Sequence, residues 1–179
     1  MSKILVDTID TRSGTTNLTI GSTNSSTVTF ENGAVTGHMY PAFEVAITSA
    51  QTISDDTHTK VQFNSVTFDT NSGWDGSNYR WTPAIAGKYI IYGDITCDSD
   101  SNSNLDDAQI NPRRSNNNLR GPEFIFKSNP IRYAPLQSFQ IVNNVTTSDY
   151  FEIFTRINAT DSTGGRVIGG IFGGYRIGT

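Results

Sequence analysis

The sequence predicts an all-β domain, a two-sheet jelly roll of about eight to ten strands, and three observations carry that prediction. Apolar residues come in short runs rich in Val, Ile, Phe and Tyr, several of them alternating with polar residues, as a half-buried strand requires. No stretch carries the apolar stripe of a helix. The runs are separated by Gly, Ser, Thr, Asn and Asp clusters, the residues of turns and loops. Aromatics at 11%, regularly spaced, set the chain apart from a disordered one of similar polarity.

The elements follow in chain order. Residues 1–37 hold only short apolar pieces: Ile4-Leu5-Val6, Ile9, Leu18-Thr19-Ile20, Val28-Thr29-Phe30 and Ala34-Val35. None buries an apolar face alone. A segment 1–39 ordered by docking, or by interleaving with copies of itself, is expected; a flexible tail is the alternative. The character changes at Tyr40, and the predicted knob domain is 40–179. Phe43, Val45 and Ile47 share one face of a strand, Gln51-Thr52-Ile53 is a brief pairing, and Val61 and Phe63 point inward from the next strand. Val66-Thr67-Phe68 is followed by loop chemistry at Asn71-Ser72-Gly73 and Asp75-Gly76-Ser77-Asn78.

Tyr79 to Cys97 is the stretch that organises the rest. Tyr79 and Trp81 lead into a corner through Pro83 and Gly87. Proline lacks the N–H of a ladder and glycine reaches positive φ, so the pair marks a turn between strands. Lys88 to Cys97 is β-branched and aromatic, with a near-continuous apolar run at Tyr89–Tyr92. It reads as a central strand buried on both faces. Asp98 to Asp107 reads as a polar loop, Ala108-Gln109-Ile110 as a strand closed by Asn111-Pro112, and Arg113 to Gly121 as polar again. Glu123–Lys127 reads as a short apolar run between Pro122 and Pro130, and further strands are expected at Ser138–Val142 and Asp149–Ile157, with a glycine-interrupted one at Val167–Ile177.

Charge and cysteine content narrow the function classes. A net charge of −4 without a Lys/Arg stripe argues against nucleic acid as a partner. Cys97 is the one cysteine, so no intrachain disulfide forms, and its place at a strand end suits a small buried apolar group. No run approaches the roughly 18 apolar residues of a membrane span. Met1 to Asp7 lacks a signal-peptide core, so exit by assembly or lysis is expected rather than classical secretion. The Asn17, Asn24, Asn144 and Asn158 sequons follow from a Ser/Thr/Asn-rich composition.

Candidate chemical sites are few. Oxygens at alternate positions of Asp98–Asp107 would wrap a hard cation, but Ser103 and Gln109 stand where a calcium loop carries Gly and Glu; a solvated loop is the preferred reading. His38, His58 and Cys97 form no ligand spacing. Asp94, Glu44, Glu123 and Glu152 would suit glycoside hydrolysis only if two of them paired in space. No catalytic, metal or cofactor residue is therefore assigned. Trp74, between Gly73 and Asp75-Gly76, is the expected exposed aromatic contact, and Arg113 and Arg114 the expected recognition cations of a polar loop; Tyr79 and Trp81 are assigned to the core.

The knob resembles a known family. Trp81-Thr82-Pro83-Ala84-Ile85-Ala86-Gly87-Lys88-Tyr89 looks like the F-x-x-P-x-x-G-x-Y signature of the C1q/TNF-like globular domain. Thr147-Ser148-Asp149-Tyr150-Phe151-Glu152-Ile153 stands at the place of its GD-x-V strand, with Ser for Gly. Ile171-Phe172-Gly173-Gly174-Tyr175-Arg176-Ile177 is similar to its closing F-x-G-F strand. The resemblance covers roughly residues 41–177. It implies a jelly roll that assembles as a homotrimer, binds rather than catalyses, and brings Phe172, Tyr175 and Ile177 to the trimer interface. Lys3 to Gly14, followed by Leu18-Thr19-Ile20-Gly21, resembles the opening of bacteriophage fibre and virion proteins. That implies localisation in a virion, attachment through Ile4, Leu5, Val6 and Ile9 to capsid or tail proteins, and a host-surface glycan or protein as the outer partner. The expected protein is a short fibre or capsid-bound knob; a capsid decoration (cement) protein and a free carbohydrate-binding module are the alternatives.

Overall fold

Alternation along the strands decides the architecture. The computed structural model of the chain describes residues 41–100 and 103–178, all of it strand, turn and loop. In chain order the strands are β1 (Ala42–Ala46), β2 (Gln51–Ile53), β3 (Thr59–Lys60), β4 (Ser65–Asp69), β5 (Trp74–Asp75), β6 (Arg80–Trp81) and β7 (Gly87–Asp98). They continue with β8 (Leu105–Arg114), β9 (Asn117–Asn118), β10 (Glu123–Ile125), β11 (Tyr133–Val145), β12 (Phe151–Ala159) and β13 (Gly165–Gly178). One six-stranded sheet runs β11-β7-β13-β1-β4, with β2 also on β13. A seven-stranded sheet runs β10-β8-β12-β6-β5, with β3 on β12 and β9 on β8. All the pairings are antiparallel. The expected two-sheet jelly roll is the observed one. The 1–39 segment, with Ile4, Leu5, Val6 and Ile9, lies outside the described residues.

The core is the layer between the sheets. Phe43 and Val45 of β1, Tyr89, Ile91 and Ile95 of β7, and Phe172 of β13 face Trp81, Ile110, Phe151, Ile153 and Ile157 from the other sheet. Trp81 is stacked on Phe43 at 4.4 Å between ring centroids, and Phe172 meets the Phe43 ring edge-on at 4.9 Å. Such ring pairs are worth about 0.5–1.5 kcal/mol beyond the area they bury. Gly93 leaves room for the facing sheet: a Cβ there would stand 3.0 Å from Ile153 Cδ1. The corner before β7 closes on Tyr89, whose hydroxyl donates to the Ile85 carbonyl at 2.5 Å. Burial pushes the Tyr89 phenol up to about 12, so it remains a donor.

Several expectations are corrected. β7 is buried on one face only: Tyr89 and Ile91 point inward, while Ile90 and Tyr92 point outward and are half-buried. Leu105 to Arg114 is one continuous strand, not the end of a loop and a strand stopped by Asn111-Pro112. Pro112 is tolerated because its side of β8 faces the break between β9 and β10, where Leu119 N–H reaches the Pro112 carbonyl at 2.8 Å and no partner needs the missing donor. Glu123–Ile125 is an edge strand with all three residues exposed.

Candidate association surface

The outward face of the β11-β7-β13-β1-β4 sheet carries several large exposed apolar side chains. Register aligns its side chains in rows. One row reads Phe139, Tyr92, Gly173, Glu44, Phe68 across the five strands. The next reads Ile141, Ile90, Tyr175, Ala42. A third reads Gln137, Asp94, Ile171, Ala46. Phe139 is 61% exposed and Ile141 59%, and Val66, Phe68 and Ile171 are also exposed. Isolated exposed apolar residues are ordinary, but contiguous ones mark contact surfaces. Between Tyr92, Asp94, Gln137, Phe139 and Ile171 lies a shallow groove of about 350 Å³.

The three residues expected at a trimer interface divide on this face. Tyr175 points outward and is half-buried, and Ile177 is exposed. Phe172 is fully buried and belongs to the core of its own chain, a correction that follows from the two-residue period of a strand. Its neighbour Ile171 takes the outward position.

The residues expected to recognise a surface ligand are also placed differently. Trp74 is half-buried on β5, opposite Trp81. It stacks on Phe43 at 6.4 Å and meets Phe172 edge-on at 6.1 Å, because the β5–β6 hairpin folds over the end of the core. Arg113 and Arg114 end β8 instead of lying in a loop. The Arg113 guanidinium lies 3.5 Å over the Phe154 ring. Arg114 donates to the Asn143 and Asn144 carbonyls and, at 2.8 Å, to Asp149.

The carboxylates are engaged one by one. Asp98 is held by Arg132 at 3.1 Å and by Arg166 at 2.8 Å, and Arg166 also meets Asp100 at 2.6 Å. Burial alone would raise the Asp98 carboxyl, but these two arginines hold it below the usual carboxylate range. Asp107 pairs with Arg156 at 2.7 Å and accepts from Asn158 at 2.9 Å. The carboxylates of Asp98, Asp100 and Asp107 thus face guanidinium and amide groups. Among the described residues no group of three or more His, Cys, Asp and Glu is placed to hold a metal. Of the four carboxylates that would suit hydrolysis, Glu44 bonds Tyr92, Asp94 bonds Gln137, Glu123 meets Arg156 and Glu152 meets Lys60. Cys97 is buried, with its thiol pushed up to about 12 by desolvation.

Sequence reasoning missed Phe139, Ile141 and Ile171 as surface groups. The alternation Tyr133, Pro135, Gln137, Phe139, Ile141 against Ala134, Leu136, Ser138 was the signal available; both faces of β11 are apolar, so alternation does not say which one is inside.

No family model matches the sequence, and neither does any curated protein. Solved structures share the fold. The globular domain of zebrafish complement 1qA protein aligns with a TM-score of 0.53 at 14% identity, over 76% of this chain and 97% of that one. Eiger TNF from S. frugiperda aligns with a TM-score of 0.53 at 14% identity, over 78% and 93%. Murine APRIL aligns with a TM-score of 0.50 at 10% identity, over 76% and 99%. Residues 41–178 therefore have a C1q/TNF-like jelly-roll fold.

Proposed function

We propose that this chain is a non-enzymatic, self-associating binding knob, a homotrimer carried on a virus particle and attached through its N-terminal segment. The observation that carries self-association is the outer face of the β11-β7-β13-β1-β4 sheet, where Phe139 and Ile171 line one groove beside Tyr92, Ile141 follows Phe139 on β11 and Phe68 is exposed at the far edge. Copies that share such a face bury it in one another, and a closed ring uses it up where an open chain would not. The C1q/TNF-like fold supports a binding rather than a catalytic role, and Glu44, Asp94, Glu123 and Glu152 each meet a different partner instead of pairing with one another.

The particle role rests on the resemblance of residues 3–21 to the opening of phage virion proteins. Under it, residues 1–39 dock on capsid or tail proteins and the knob faces a host surface glycan or protein. Capsid decoration is the second reading. Light scattering of the full chain at micromolar concentration tests the association: the expected mass is three times the 19.6 kDa chain, and a persistent monomer sinks the proposal.

A further inference from the structure

The seven-stranded sheet ends in an edge whose backbone is open. β10 pairs with β8 alone, with Glu123 opposite Gln109, Phe124 opposite Ala108 and Ile125 opposite Asp107. The Ile110 N–H reaches the Pro122 carbonyl at 3.3 Å, and the Phe126 N–H reaches the Asp106 carbonyl at 2.6 Å. The residues whose backbone faces β8 are therefore Pro122, Phe124 and Phe126. Antiparallel pairing alternates, so Glu123 and Ile125 turn their N–H and C=O groups away from β8. These groups form a half-ladder that a further strand would complete. Among the described residues nothing pairs with that side of β10.

Side chains and charge add to the open backbone. Ile125 is 67% exposed and Phe124 45%. Phe124 and Phe126 stack with nearly parallel rings, 6.5 Å between centroids. Adjoining the strand is an open pocket of about 360 Å³, with Ile125, Phe126, Lys127 and Ile131 in its lining. On the outer face Arg156 meets Asp56, Asp107 and Glu123. Three carboxylates on one guanidinium leave excess negative charge beside the edge. Pro122 and Lys127 flank the strand and hold it to three residues, which discourages growth of the sheet from copy to copy.

We propose that the open edge of β10 docks an extended segment of another polypeptide, added as an antiparallel strand with apolar and basic residues in alternation. The segment's backbone completes the half-ladder of Glu123 and Ile125. Its apolar side chains, on one face, lie along Phe124, Phe126 and the pocket; its basic ones, on the other, lie along Glu123 and Asp56. In this mode of recognition main-chain bonds supply affinity and alternate side chains supply selectivity. A three-residue edge falls far short of a stable interface between two folded copies, which selects a peptide-like partner over a second copy. β10 belongs to the sheet opposite the self-association face, so the proposal does not depend on that reading.

A capped synthetic peptide of alternating valine and lysine, titrated into the full chain, tests this by calorimetry and amide exchange. Binding should slow exchange at the Glu123 and Ile125 amides and leave Phe124, already bonded to β8, unchanged. Residues directly opposite one another share a face, so the lysine nitrogens are on the bonding side. Methylating them should abolish binding, and methylating the valine nitrogens should not. Ile125→Pro removes an edge donor without touching a bond to β8; it should keep the native melt and bind about ten-fold more weakly. Ile171→Asp, on the other sheet, should bind the peptide as the native chain does, whatever its oligomeric state. No binding at millimolar peptide, equal binding of the two methylated peptides, or undiminished binding by Ile125→Pro overturns the proposal. Protection of the Glu123 and Ile125 amides by raising the chain's own concentration, without peptide, overturns it too and gives the edge to a second copy.

Discussion

Trp81 shows how much of the fold hangs on single residues. It is fully buried, sandwiched between Phe43 and Phe151 and edge-on to Tyr89. Trp81→Ala should cost about 3–5 kcal/mol in chemical denaturation; a loss under 1 kcal/mol would mean the ring stack is not the keystone it resembles. Asp149 is the clearest electrostatic contributor. Its carboxylate accepts from Arg114, from the backbone and side chain of Thr146 at 2.7 and 2.8 Å, and from Ser115. Arg114 first, then the Thr146 and Ser115 bonds, hold it far below the usual carboxylate range. A depressed carboxylate stabilises the fold above its unfolded-state value, and that contribution is lost as pH falls through the folded-state value. Asp149→Asn should therefore destabilise by about 1–3 kcal/mol at neutral pH, with the gap to the native protein closing below about pH 4. A gap that persists undiminished at pH 2 would assign the effect to packing.

At the scale of the element, two adjacent residues of β13 separate folding from association. Ile171 faces out and Phe172 faces in. Phe172→Asp puts an unpaired charge into the core, a cost beyond what a domain of this size tolerates, and should abolish the cooperative melt. Ile171→Asp should leave the melting temperature within a few degrees and shift the mass towards monomer. If Ile171→Asp stays fully assembled, the face is not the contact. The strands themselves were unevenly legible. Those with a polar side, such as β1 and β12, read directly from alternation. β8 did not: its Leu105-Asp106-Asp107 start and Asn111-Pro112 interior look like loop chemistry, and only pairing with β12 over Phe151–Ala159 makes them strand. Arg113 and Arg114 were misplaced with it, since a loop cation and a strand-end cation have the same sequence neighbourhood.

For the whole molecule, the acidic balance and the apolar sheet face act together. A net charge of −4 keeps copies apart at long range, where salt screens it, while the face acts at contact. Raising salt at neutral pH should thus strengthen association. If the chain is a particle component, mass spectrometry of purified particles should detect it in fixed stoichiometry with the capsid or tail proteins, and its absence from them would leave the free carbohydrate-binding reading standing.

The sequence by itself determined the class of fold. Strand periodicity, the Pro83–Gly87 corner and the closing glycine-rich strand are local properties, and they sufficed for an all-β jelly roll with Trp81, Tyr89 and Cys97 inside. What only the tertiary structure decided is which side of each two-sided strand meets the other sheet. That choice is made by register between residues far apart in the chain, such as Phe139 on Tyr92 and Gly173 on Glu44. It sends Phe172 into the core and Phe139 out of it, although both are phenylalanines in apolar strands. It also creates the Tyr92–Glu44 pair, which no spacing in the sequence announces, because its partners lie 48 residues apart and meet only across a glycine of a third strand.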